Sequence, residues 1–296
     1  MESAFKLASQ RRKYRFVQLP QNFHMLRCLK ILRIHNSEKS MGALPENIGL
    51  LPALKHLSLN VPLKRLPNSL LEFSSLQSLV LSGDCLQAWP VPITVDPCSH
   101  LTALTELHLV RLPALVELPD TFGGLASLKH LTVSDCSALE KLPEGFGALS
   151  ELETLSIVRL PALVELPDTF GGLASLKHLA VSDCSTLEKL PEGFGALSEL
   201  KTLTIDTCVK FELLCESFSS LSKLRRLFLV FLPKLKTLPA TIGDLPSLGE
   251  MYVVYCPVIK ELPGSFTKLP SIRRLIIRNY LEYEALKYIS GTKMNR

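Results

Sequence analysis

Residues 111–158 read RLPALVELPDTFGGLASLKHLTVSDCSALEKLPEGFGALSELETLSIV, and residues 159–206 read RLPALVELPDTFGGLASLKHLAVSDCSTLEKLPEGFGALSELKTLTID. The second block copies the first with five differences. Each block divides into two halves of 24 residues with the shape L-x-x-L-x-x-L-x-(L/V/I)-x-x-(C/L)-x-x-L-x-x-L-P-x-x-(F/I)-G. A fixed period in this range marks a solenoid, in which one unit cannot bury its own apolar face and neighbours must stack to make a core. Function is therefore expected on a repeated surface rather than in a pocket.

Working outward, the first apolar marker recurs at Leu26, Leu51, Phe73, Leu101, Leu125, Leu149, Leu173, Leu197, Leu221, Leu245 and Leu269. The spacing settles to 24 residues from Leu101 onward. A Leu-Pro step accompanies most units, with Trp89-Pro90 and Leu214-Cys215 standing in at two of them. In residues 125–148, Leu128, Leu131 and Val133 are expected to point inward. Lys129, His130, Thr132 and Ser134 are expected to point outward, by the alternation of a half-buried strand. Cys136, Leu139 and Leu142 should complete the core, Pro143 should stop the strand or helix, and Gly147 should permit the turn into the next unit. The fold class expected is α/β: a right-handed solenoid with a parallel, concave β-sheet on one side and irregular or 3₁₀ segments on the convex side. Eleven strands about 4.8 Å apart would make a sheet roughly 50 Å long. The organisation expected is a basic lead-in at 1–15, about eleven repeats over 16–280, and a C-terminal tail at 281–296.

The pattern resembles the leucine-rich repeat, and the runs Cys136-SALEKLPEGFGALSELETLSI and Cys184-STLEKLPEGFGALSELKTLTI resemble the repeat region of plant intracellular nucleotide-binding disease-resistance receptors. That resemblance implies a protein-binding domain that recognises a pathogen effector or a host protein. It also implies an upstream nucleotide-binding domain in a longer parent. The other reading of the same pattern is an intracellular scaffold that binds small GTPases or phosphatases.

Composition narrows the classes. No apolar run approaches the roughly 20 residues that span a bilayer, and charges in MESAFKLASQRRKYRF interrupt any secretory core. The expected location is the cytosol or nucleus. Cys136, Cys184, Cys208 and Cys256 share the inward register that Leu112, Leu160 and Leu232 fill elsewhere, so they read as reduced, apolar fillers. A net charge of +5, with Lys and Arg interleaved with Asp and Glu, argues against a nucleic-acid binder. There is no phosphate-binding G-x-x-x-x-G-K-(S/T), no H-E-x-x-H, no C-x-x-C and no nucleophile elbow, so neither catalysis nor a cofactor is expected. His56, His130 and His178 share an outward register, but two strand spacings separate the latter pair, too far for one metal ion.

The outward strand positions change character late in the array. Three rows carry Arg225, Arg226, Phe228, Val230 and Phe231; Glu250, Tyr252, Val254 and Tyr255; and Arg273, Arg274, Ile276 and Arg278. Arginine and aromatic residues dominate energetic hot spots, so the candidate partner-binding residues are Arg225, Arg226, Phe228, Phe231, Glu250, Tyr252, Tyr255, Arg273, Arg274 and Arg278. The competing reading seats the tail Tyr280–Arg296, or a neighbouring domain, on the same rows. The duplication adds an internal comparison. Four of the five differences, Thr132/Ala180, Glu153/Lys201, Ser156/Thr204 and Val158/Asp206, fall at outward strand positions, and only Ala138/Thr186 does not.

Overall fold

The computed structural model describes residues 19–35, 44–90 and 101–278. Phe16, Val17, the lead-in and the tail lie outside them. The described residues form one eleven-stranded parallel sheet in which every strand pairs with its sequence neighbours. The strands are β1 (Ile31–His35), β2 (His56–Asn60), β3 (Ser78–Ser82), β4 (Glu106–Val110), β5 (His130–Ser134), β6 (Thr154–Val158), β7 (His178–Ser182), β8 (Thr202–Asp206), β9 (Arg226–Val230), β10 (Glu250–Val254) and β11 (Arg274–Arg278). The register advances by one repeat per strand: Leu131 lies beside Leu155, and Leu155 beside Leu179. The sheet is open at both ends, as a solenoid requires.

Alternation explains the strands. Leu131 and Val133 are buried while His130 is exposed and Thr132 half-buried. The chain then crosses to the opposite side of the core, where short 3₁₀ segments stack: Asp120–Gly124, Glu144–Ala148, Asp168–Gly172, Glu192–Ala196 and Glu216–Ser220. Proline immediately precedes most of them. Pro143 sits at φ −70°, ψ 155°, a geometry its ring favours, and its carbonyl accepts the Phe146 amide at 3.0 Å. Cys215 adopts nearly the same angles, φ −67° and ψ 153°, and its carbonyl accepts the Phe218 amide, so the non-proline step keeps the geometry.

Each of these five 3₁₀ segments contributes one buried phenylalanine. Phe122, Phe146, Phe170, Phe194 and Phe218 stack in a continuous file at 6.1–6.4 Å between ring centres, and Trp89 meets its first member edge-on at 5.3 Å. Cys136, Cys184, Cys208 and Cys256 are fully buried, unpaired thiols in one inward register, as expected. Burial pushes the Cys136 and Cys256 thiols up to about 11, which keeps them neutral and unreactive at physiological pH.

Two expectations change. Gly147 does not serve a left-handed turn; among the described glycines only Gly83 has a positive φ. A Cβ on Gly147 would lie 2.1 Å from the Thr169 carbonyl oxygen, so the glycine lets neighbouring 3₁₀ segments approach backbone to backbone. Ser134, Val230 and Val254, expected to point outward into solvent, are buried. They close their strands immediately before left-handed turn residues, Asp135, Phe231 and Tyr255.

Candidate functional site

The turns leaving β4 to β10 are built on non-glycine residues in the left-handed region. Arg111, Asp135, Arg159, Asp183, Thr207, Phe231 and Tyr255 have φ between 49° and 56°. That conformation costs roughly 1–2 kcal/mol for an L-residue. It is held because each amide donates to the carbonyl ending the next strand: Arg111 to Ser134, Asp135 to Val158, Arg159 to Ser182, Asp183 to Asp206, Thr207 to Val230 and Phe231 to Val254, all at 2.8–3.0 Å. The side chains therefore form a column along the outward margin of the sheet. Its first four members alternate in charge, and Arg159 clasps Asp135 with two charge-assisted hydrogen bonds. The last two are aromatic.

Parallel pairing brings the candidate residues together in columns. Arg226, Glu250 and Arg274 share one register across β9, β10 and β11, and Phe228, Tyr252 and Ile276 share the next outward one. The Phe228 and Tyr252 rings stack at 4.6 Å and 17°, and Phe231 and Tyr255 stack at 4.8 Å and 9°. All four rings remain partly exposed. Two parallel aromatic pairs thus stand side by side on the outward face, one on the strands and one on the turns. Such a pair gains about 0.5–1.5 kcal/mol beyond area burial, so the rings are ordered before any partner arrives.

Polar contacts fix the lower corner. The Tyr252 hydroxyl donates to Glu250 Oε2 at 3.1 Å, and Arg274 Nη1 donates to the Tyr252 oxygen at 3.2 Å while lying 3.8 Å from the Glu250 carboxylate. These partners, the hydroxyl first, hold the Arg274 guanidinium above its ordinary value. Arg225 and Arg273 belong to a different column, one residue ahead of the strands, with Gly249 between them. Both are exposed, as is Arg226, and none of the three makes an ion pair with the described residues. Arg278, at the end of β11, is half-buried.

The structure also draws in residues that the sequence did not assign to the partner-binding face. Lys201 sits in the column of Arg225, and His178 heads the strand before it. Partial burial, followed by the charges of Arg226, Lys201 and Lys177, holds the His178 imidazole below its ordinary value. The 24-residue register to Arg225 was the available signal for Lys201. Asp206, the second-copy counterpart of Val158, is half-buried, and burial lifts its carboxyl above the usual range against a hydrogen bond from Thr207. Among the described residues no group of His, Cys, Asp and Glu is arranged to hold a metal ion, and no helix is long and apolar enough to cross a membrane.

Comparison with known proteins places this geometry. A family model described as a leucine-rich repeat region matches residues 120–235. The disease resistance-like protein DSC1 of Arabidopsis thaliana is 29% identical over 136 residues, which is 46% of this chain. The chain spans only 11% of that relative's length. Among solved structures, the fold is similar to a chain of the Toll–Spätzle complex, a molecular hub in Drosophila development and innate immunity, with a TM-score of 0.68 at 19% identity over 90% of this chain and 35% of that one. It is also similar to the leucine-rich repeat domain of the type III effector XopL, with a TM-score of 0.53 at 22% identity over 89% of this chain and 73% of that one.

Proposed function

We propose that this leucine-rich repeat protein, whose sequence resembles plant disease-resistance receptors, recognises a protein ligand with the outward face of β9–β11 and does so in intracellular, plant-type immunity. The observation that carries the reading is the pair of pre-stacked aromatic couples, Phe228–Tyr252 and Phe231–Tyr255, flanked by exposed arginines. Aromatic and arginine side chains supply most interface energy, and rings already ordered lose little entropy on binding. The ligand on this reading is a pathogen effector or a host protein, in the cytosol or nucleus, with the repeats acting as the sensing part of a longer receptor. Among the described residues no group of His, Cys, Asp and Glu is arranged to hold a metal ion, and binding is the activity proposed.

The test is an alanine scan of the purified chain against candidate effectors and host proteins, with small GTPases and phosphatases as the alternative class. Tyr252→Ala should cost about 2 kcal/mol or more of binding free energy, and Lys55→Ala, far up the array, should cost little. Negligible losses at Phe228, Tyr252 and Arg274 would move the site elsewhere. Tight binding confined to a GTPase or phosphatase would favour the scaffold reading.

A further inference from the structure

Charges on the outward face of the duplicated block alternate from repeat to repeat. In the column preceding the strands, Lys129, Glu153 and Lys177 follow one another, and Glu153 pairs with Lys177 at 2.8 Å. The second copy breaks this rule. Its counterpart of Glu153 is Lys201, so the column continues Lys177, Lys201, Arg225, with Arg226 beside it. Like charges on neighbouring strands, about 4.8 Å apart, repel and destabilise a sheet. No acidic side chain intervenes in that column. Burial first, and then the charges of Arg226, Lys201 and Lys177, lower the proton affinity of His178 at the edge of this row.

The next position in the column is Gly249, and the fold does not require a glycine there. Its φ is not in the left-handed region, and an added Cβ would meet only the Arg225 and Ser271 carbonyl oxygens at 3.7 Å, an ordinary contact. This differs from Gly147, Gly195 and Gly243, where a Cβ would collide with neighbouring backbone. The effect of Gly249 is a side-chain-free notch between Arg225 and Arg273, whose backbones lie roughly 10 Å apart at two strand spacings. Backbone bonds fix the notch, from the Gly249 amide to the Arg225 carbonyl at 2.9 Å and from the Arg273 amide to the Gly249 carbonyl at 2.8 Å. Glu250, the nearest acid, is already engaged by Tyr252 and Arg274.

We infer that the notch over Gly249, walled by Arg225 and Arg273 and extended by Lys201 and Arg226, binds aspartate or glutamate side chains of an acidic, aromatic- or leucine-containing segment of the protein partner. This deepens the proposed function and rests on it. Guanidinium groups pair bidentately with carboxylates, and the apolar part of the segment would lie on the adjacent Phe228–Tyr252 stack. An acidic polypeptide fits better than a nucleic acid. The basic residues form a short row rather than a long stripe, and within each couple the rings already stack on each other at 4.6 and 4.8 Å, which leaves no gap between them for an inserted base.

The experiment is selection of phage-displayed random dodecamers on the whole chain, followed by affinity measurement of the selected peptides on variants. Peptides rich in Asp and Glu beside Leu, Phe or Trp are expected. Their affinity should fall about tenfold or more on R225E/R273E. It should fall similarly on Gly249→Leu, which fills the notch without changing charge. Thermal midpoints confirm folding, and R225Q/R273Q replaces the reversed variant if that one does not fold. Peptides without an acidic excess, or acidic peptides indifferent to both the arginine and the glycine changes, overturn the inference. If unbiased peptides still lose affinity on Tyr252→Ala, the binding face stands and only its acidic specificity falls. If selected peptides are indifferent to Tyr252→Ala as well, both readings fall. A labelled single-stranded oligonucleotide that binds more tightly than the peptides, and is lost on R225E/R273E, also overturns it.

Discussion

Asp206 occupies a position where its own duplicate carries valine, and the exchange has a thermodynamic signature. Burial lifts its carboxyl above the ordinary range, so the folded chain holds the proton more tightly than the unfolded chain. The folded state then binds more protons between the two values, and stability falls as pH rises through that window. Above it the whole penalty is present; below the ordinary aspartate value of about 3.9 it is absent. Asp206→Asn should therefore raise the urea midpoint at pH 7, with the gain disappearing near pH 3. An equal gain at both pH values would show that ionisation is not the cause. Residue-level features like this were the least legible in the sequence. Asp206 reads as one more polar outward position, and its burial depends on what surrounds the end of β8. The left-handed column was equally silent, because arginine, aspartate, threonine, phenylalanine and tyrosine do not announce a positive φ as glycine would. Parity alone puts Val230 and Val254 on the solvent side, and it carries no information about packing at the end of a strand.

At the scale of the repeat, alternation and period were sufficient. The inward leucines, the cysteine register, the proline-led crossings and the adjacency of Phe228 to Tyr252 all follow from a 24-residue count. The count also placed oppositely charged residues one repeat apart. They pair as Arg159–Asp135, Lys177–Glu153, Lys223–Glu199 and Lys236–Glu212. Exposed pairs contribute little energy each, but a slip of one unit would set like charges side by side through much of the duplicated block. What the count did not reveal was why the glycines are there, since close backbone approach and turn flexibility leave the same letter. Leu155 tests the coupling of these units. It is 1% exposed in mid-array, and Leu155→Ala should cost about 2–5 kcal/mol. Because each repeat touches only its neighbours, protection in hydrogen exchange should fall first across β5–β7. Unchanged protection there would contradict nearest-neighbour coupling.

Across the whole molecule, burial is uneven from end to end. Leu227 and Met251 are fully buried in the inward registers of β9 and β10, whereas Leu275 and Ile277 of β11 are 41% and 46% exposed. The amides of β11 should accordingly exchange fastest among the strands of the second half, with β6–β8 slowest. Equal protection of β11 and β7 in exchange mass spectrometry would refute that gradient. The left-handed turns add a direction to this picture. Each of the seven strained residues leaving β4 to β10 donates its amide to the strand that follows it. A unit can thus satisfy its own exit only when its successor is in place, and the array has a grammar in which every clause is completed by the next. Severing the chain between two repeats harms the two halves unequally: the downstream half keeps its turns intact, while the upstream half is left holding one unanswered donor and an unsupported left-handed residue at its final turn.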